Sequence, residues 1–280
     1  MTGVAESATA AGGREKGDLI KRHTLLRRLT HWVWVIAVLF LIGSGLNIFG
    51  AHPKLYIGQE SGFEYNNTVL AIGAKQGTMG PEGVTTILGQ SFNTTGFLGL
   101  SGGTGRAEPV AFPSWLTIPS FRDLATARVI HFFFAWVLSG TLLLWLADAV
   151  MSGHFRNLVL GPKTWRALPG DIGQHLRFRF PKSRGYSPLQ KLSYVLVLGV
   201  LMPLLILTGL AMSPGMNAAW PWLLDVFGGR QTARTIHFLA MALMVLFVLI
   251  HVLMVVVAGP FNHMRAMITG RFRIDRDTAS

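Results

Sequence analysis

Residues 192–212 read LSYVLVLGVLMPLLILTGLAM, a run with no charge and with apolar side chains at every phase of a helix. A membrane-crossing β-strand needs only about 9–11 residues and alternates in polarity, whereas an α-helix rising 1.5 Å per residue needs about 20 to cross a ~30 Å hydrocarbon core. A segment of this length that is apolar all round predicts a helix surrounded by lipid or by other helices. Working outward, the full stretch extends from Leu189 to Met212, and three more of the same kind run from His31 to Phe49, Arg128 to Val150 and Thr235 to Ala258. Composition agrees: 50% of the 280 residues are hydrophobic and 14% are charged, against about 25% charged in a soluble domain. The expected fold is an all-α, integral membrane four-helix bundle with spans at about 29–49, 128–150, 189–212 and 235–258, and a long outer loop between helices one and two.

The charge distribution sets the expected orientation. The chain carries a net charge of +12, with six Lys/Arg before the first span, eight from Arg156 to Lys191 across the second connection and the start of span three, and four after the last. The first connection, Gly50 to Ala127, holds only Lys54, Lys75, Arg106 and Arg122. Basic residues flank cytoplasmic span ends, so both termini are expected in the cytoplasm of a bacterial cell and the 50–127 loop outside it, with the chain in the inner membrane. This placement also argues against nucleic acid as the partner of the positive charge.

Residues 1–18 have no periodicity or apolar core and predict a disordered cytoplasmic tail, followed by a membrane domain over 19–272 and a second cytoplasmic tail at 273–280. No cleavable signal pattern precedes or follows span one, so that span is expected to be retained. The absence of cysteine excludes disulfides, iron-sulfur ligation and covalent thioether haem in this chain. The Gly-rich stretch at 99–109, GLSGGTGRAEP, lacks the lysine and the strand-to-helix setting of a phosphate loop, and is expected to be plain loop. The basic-aromatic stretch at 176–184, LRFRFPKSR, suits anionic headgroups better than RNA. A connection as long as 50–127 is expected to dock a partner.

Ionisable side chains inside spans are costly and mark function. Four of the nine histidines, His31, His131, His237 and His251, fall within or at the ends of spans. His237 and His251 are 14 residues apart on span four, which puts them near one helix face and about 21 Å apart along the axis. His131 begins span two and His237 begins span four, so these two are level near the outer surface. His31 begins span one and His251 lies near the inner end of span four, so these two are level near the inner surface. Two facing imidazoles at one depth are suited to sandwich a haem iron. The expectation is two b-type haems, the outer held by His131 and His237 and the inner by His31 and His251. His23, His52, His154, His175 and His263 fall in tails or loops and receive no ligand role.

Three of the four histidines are preceded by arginine at the same spacing: Arg28-Leu-Thr-His31, Arg128-Val-Ile-His131 and Arg234-Thr-Ile-His237. On a helix this puts the guanidinium on the histidine's face one turn nearer the membrane surface, where haem propionates would emerge. Basic residues also anchor span ends, which suits Arg28, whereas Arg128 and Arg234 lie on the outer side against the positive-inside bias. Gly43, Gly45 and Gly140 are small enough to admit a flat macrocycle or simply to let helices approach.

With R-L-T-H-W at 28–32, R-V-I-H at 128–131, and R-T-I-H at 234–237 followed by His251, the chain resembles the di-haem cytochrome b subunits of bacterial respiratory complexes. These are the formate dehydrogenase gamma, hydrogenase b-type and, most closely, thiosulfate reductase cytochrome b subunits, a prokaryotic cytochrome b561-like group. The resemblance covers about residues 20 to 272. It implies a membrane anchor that passes electrons between the quinone pool and a periplasmic partner, commonly a molybdenum-cofactor oxidoreductase. Formate dehydrogenase relatives carry a quinone-contacting Y-N-x-G-Q-K stretch before helix three. This chain has Tyr186-Ser187-Pro188-Leu189-Gln190-Lys191 there, matching at Tyr, Gln and Lys. Ser187 and Gln190 are therefore candidate quinone contacts, although Ser187 before Pro188 also reads as an ordinary N-cap. The substrate chemistry is expected on the partner subunit. An intramembrane proton-coupled transporter and a cofactor-free anchor are the alternatives. The first lacks an intramembrane acid other than Asp148, and the second leaves His251 and the R-x-x-H repeat unexplained.

Overall fold

The computed structural model describes residues 18–78, 80–103, 106–153, 155–180 and 185–274. Most of both expected tails, at 1–17 and 275–280, lies outside the described residues, as do 104–105 of the Gly-rich stretch, 181–184 of the basic-aromatic stretch, and His154.

Four helices are long and apolar enough to cross a membrane: α1 (Leu25–Gly50), α2 (Leu124–Met151), α4 (Pro188–Met212) and α5 (Arg230–Val257). Two shorter helices follow α2 and α5 on the same side, α3 (Pro162–Leu176) and α6 (Pro260–Thr269). The starts of the long helices are chemically marked. The Asp123 carboxylate accepts from the Thr126 amide at 3.0 Å to cap α2. At α4, Ser187 and Gln190 cap each other's backbone in a reciprocal box, with Pro188 in the first turn, where its missing N–H costs nothing. Further along α4, Pro203 lacks the N–H that would bond Gly199, and its ring would press on that carbonyl. The helix widens into one π turn over Val197–Leu201, with the Met202 amide bonding the Val197 carbonyl.

α1 and α2 run antiparallel, as the order of their contacts shows. Ser44 meets His131 at 3.1 Å, Phe40 stacks on Phe134 at 4.4 Å, Trp34 donates to Thr141 at 2.9 Å, and Arg27 reaches Asp148 at 3.2 Å. α4 packs on α5 in the same antiparallel sense. A single core joins all four helices through Ala37, Leu142, Trp145, Leu198, Met202 and Met244. Outside it, Leu39, Phe133, Leu144, Leu243, Leu249 and Leu253 are exposed, the apolar surface that a helix in lipid presents.

The chain is mostly helical, but the expectation of an all-α fold is corrected by the segment between α1 and α2. That segment folds into a four-stranded antiparallel sheet in the order β2 (Lys54–Tyr56), β3 (Thr68–Gly77), β4 (Gly80–Ile87), β5 (Gln90–Asn93), followed by a small ribbon of β6 (Ser101–Gly103) and β7 (Arg106–Glu108). Val69, Ile72, Val84 and Thr85 are strand formers in short runs between turns, a local signal that loop length and composition conceal. The Gly-rich stretch lies across this sheet. A Cβ on Gly99 would come within 2.1 Å of the Gly73 carbonyl oxygen, and Gly99 has φ +79°, so both space and backbone require glycine.

The sheet is seated on the helices. Leu55 and Ile72 share a core with Phe49 of α1 and Phe238 of α5, and the buried Thr235 hydroxyl of α5 donates to the Tyr56 carbonyl at 2.7 Å. At the other end of the bundle, the strand before α1, β1 (Leu19–Lys21), pairs antiparallel with the strand after α6, β8 (Arg271–Arg273). α3 is fixed at this ribbon end by its buried Asp171, whose carboxylate accepts from the Leu189 amide at the start of α4 at 2.8 Å.

Candidate functional site

The four span histidines meet in two pairs. At the sheet end, the rings of His131 (α2) and His237 (α5) have centroids 6.3 Å apart. At the ribbon end, the rings of His31 (α1) and His251 (α5) have centroids 6.4 Å apart. A metal–imidazole nitrogen bond of about 2.0–2.1 Å plus a ring radius of about 1.1 Å puts each centroid about 3.2 Å from a shared metal, and two centroids about 6.3 Å apart. Both separations therefore fit a metal ion held between two imidazoles, although edge-on ring packing also spans such distances. α5 contributes one ring to each pair, at levels about 21 Å apart along its axis.

Around the sheet-end pair, ring orientation is held by hydroxyls from neighbouring helices. The Ser44 Oγ lies 3.1 Å from His131 Nδ1, and the Thr208 Oγ1 lies 2.9 Å from His237 Nδ1. Each hydroxyl already donates its single proton to a carbonyl one turn back on its own helix, Ser44 to Phe40 at 2.5 Å and Thr208 to Leu204 at 2.6 Å. The remaining role for both oxygens is acceptor, so Nδ1 of each imidazole is the N–H donor and Nε2 is left with its lone pair. The ribbon-end pair lacks such support: His31 Nδ1 is buried without a hydrogen-bond partner.

Backbone clearance follows the same pattern. A Cβ on Gly45 would sit 3.3 Å from His131 Cε1, and one on Gly209 would sit 3.6 Å from His237 Cε1. Gly43 has a different task, since its missing Cβ makes room for Ile118 of the segment returning to α2, and nothing lies within 4 Å of a Cβ built on Gly140.

Each arginine of the R-x-x-H repeat has a protein partner. Arg28 donates to the Ile268 carbonyl, and Trp32 of the same motif donates to the Met267 carbonyl at 3.2 Å, so both grip the end of α6. Arg234 donates to the His52 carbonyl at 2.5 Å and lies over the Phe49 ring. Arg128 is exposed and lies over Phe132. Arg234 also bears on His52, a loop histidine whose Nε2 meets the Tyr56 hydroxyl at 3.0 Å. Burial first, then the charges of Arg234 and Lys54, holds the His52 imidazole below its ordinary range.

Ser187 and Gln190 sit at the ribbon end, where the Gln190 Oε1 accepts from the Ser187 amide at 3.2 Å and the Ser187 Oγ accepts from the Gln190 amide at 3.3 Å. Capping uses these oxygens and leaves the Gln190 NH2 group as a donor. Sequence reasoning missed Ser44, Thr208 and Gly209. Ser44 and Thr208 did give a signal as hydroxyls inside otherwise apolar spans, but nothing local tells which histidine a hydroxyl on another helix will face.

Two imidazole pairs thus lie between the membrane helices, one at each end of the bundle. The family model of prokaryotic cytochrome b561 matches residues 22–270. The chain belongs to the prokaryotic cytochrome b561 family. A cytochrome b561 of this kind is a multi-pass membrane protein of electron transport that binds b-type haem. Among its relatives is a protein of Azospira oryzae described as a putative protein-methionine-sulfoxide reductase subunit, YedZ1. It is 24% identical over 230 residues, covering 81% of this chain and 86% of the relative.

Proposed function

We propose that this chain is a di-haem cytochrome b subunit that carries electrons between the quinone pool and an oxidoreductase partner. The observation that carries the reading is the pair of imidazole separations, 6.3 Å for His131 and His237 and 6.4 Å for His31 and His251. Each pair would hold one b-type haem through its two imidazole nitrogens, within a membrane domain spanning 19–272. When bound, each haem supplies a one-electron ferric/ferrous couple. Stacking two sites on α5 divides a path too long for one efficient step.

The sheet end faces the periplasm and the ribbon end the cytoplasm, in the inner membrane, with both termini cytoplasmic. This orientation is supported by the basic segments around the ribbon end. The sheet then presents a folded surface beside the outer haem to a periplasmic partner of molybdenum-cofactor type. The name of the Azospira relative favours sulfoxide reduction as the chemistry of that partner. Arg28, Arg128 and Arg234 meet haem propionates with the N–H groups left over from the contacts described above. Quinone exchanges at the ribbon end, where Ser187 and the free NH2 group of Gln190 are within the chain's own cytoplasmic rim.

Pyridine haemochrome quantitation on detergent-purified protein tests the reading. Two b haems per chain are expected, falling to one in His131→Ala and to one in His251→Ala. Folded protein that stays haem-free when expressed with ample haem refutes it.

A further inference from the structure

We propose that Ser44 and Thr208 are positioning residues for the outer haem, tuning its affinity and redox potential through hydrogen bonds to His131 and His237. The inference rests on the reading of those histidines as axial ligands.

Both hydroxyl-bearing residues are fully buried at 0% exposure, so no water competes for the imidazole N–H. Each hydroxyl is polarised by donating to a helix carbonyl, at 2.5 Å from Ser44 to Phe40 and 2.6 Å from Thr208 to Leu204. That donation strengthens the oxygen as an acceptor toward Nδ1. An acceptor on Nδ1–H fixes the ring's tautomer and orientation and makes the opposite nitrogen a more basic ligand. A more basic ligand favours the ferric over the ferrous state, so these hydroxyls tighten haem binding and hold the outer potential down.

The two hydroxyls come from different helices, α1 and α4, and reach across to α2 and α5. Each therefore reports the docking of one antiparallel helix pair, and the outer site is complete only when both pairs have formed. The ribbon-end pair is different. His31 Nδ1 is buried without a partner, and no hydrogen bond to His251 occurs among the described residues. One chain thus carries one hydroxyl-braced site and one unbraced site built from the same ligand type.

The test uses the full chain in a His251→Ala background, which isolates the outer haem, and compares Thr208→Val, Thr208→Ser and Ser44→Ala by potentiometric titration and haem affinity. Val keeps the shape of Thr without the hydroxyl, whereas Ser keeps the hydroxyl without the methyl. The expected result is a positive shift in midpoint potential and about 10–100-fold weaker haem binding in Thr208→Val and Ser44→Ala, with Thr208→Ser behaving as its parent. Loss of all haem in Thr208→Val alongside retention in Thr208→Ser gives the same support. Val and Ser variants that shift alike, or hydroxyl-free variants that leave both potential and affinity unmoved, overturn the proposal. If the ligand reading itself fails, the His251→Ala parent carries two haems or none before any hydroxyl is changed.

Discussion

Gly45→Val provides a graded test of how closely the helices fit around His131, a proposed haem ligand. A Cβ at residue 45 would lie 3.3 Å from His131 Cε1 and 3.6 Å from His131 Nδ1, so Gly45→Ala requires the ring to yield by a few tenths of an ångström. Valine is branched at Cβ and restricted at χ1 on a helix. It carries two methyl groups about 1.5 Å further out, with little freedom to turn both away. The ring must then tilt out of line with His237 or break its bond to Ser44. Overpacking of this kind costs about 1–3 kcal/mol, which corresponds to about 5- to 150-fold in haem affinity. On the proposed di-haem reading, haemochrome quantitation at limiting haem should give two haems per chain for wild type, nearly two for Gly45→Ala, and close to one for Gly45→Val, with only the His31/His251 site filled. Gly209→Ala is the control, because its Cβ would sit at an ordinary 3.6 Å from His237. Two haems with an unchanged spectrum in Gly45→Val would refute the claim that this glycine gives the ligand its room.

Further outcomes follow from the scaffold. Thr235→Val leaves the buried Tyr56 carbonyl without its 2.7 Å donor, which should cost about 1–3 kcal/mol and speed hydrogen exchange in strands 54–56 and 68–77. Ser187→Ala removes half of the α4 capping box and should cost about 0.5–2 kcal/mol in detergent unfolding; a change confined to quinone turnover, with stability unaltered, would reverse the order of its two roles. The lowered His52 pKa makes protonation easier in the unfolded chain than in the folded one. Stability from this group is whole above about 6.5 and falls as pH drops below that value toward the depressed folded pKa. His52→Gln should flatten that acid limb in thermal melts below about pH 6.5. Asp148→Asn removes the carboxylate charge facing Arg27 at 3.2 Å and should loosen the ribbon end of the α1–α2 pair, seen as faster proteolysis near residue 152.

The helices were legible because lipid imposes one demand over a long stretch, and runs such as 192–212 satisfy it without help from the rest of the chain. The pairing of His131 with His237 and of His31 with His251 was legible for a related reason: helix rise and direction fix depth. What the sequence concealed depends on contact between distant segments. The sheet of 54–93 is built from short strands whose partners are set by register rather than by periodicity, and its glycines read as loop until Gly99 is seen against Gly73. Ser44 and Thr208 are visible as polar residues in apolar helices, but their targets depend on rotations about the helix axis that no spacing records. The R-x-x-H arginines show the same limit, since Arg28 and Arg234 each take a backbone carbonyl from a segment remote in sequence.

The ribbon of β1 and β8 bears on the order in which the molecule can be finished. Leu19 pairs with Arg273 and Lys21 with Arg271, so a strand made before α1 waits for one made after α6. Emerging from the ribosome in sequence, α1, α2 and α4 can enter the membrane and meet while Leu19–Lys21 still has no partner. The histidine that faces His31 arrives only with α5, and the strand that closes the ribbon arrives 20 residues after it. Closure of the ribbon end is thereby reserved for a chain whose four span histidines are already in place, an order of completion written into the position of two three-residue strands.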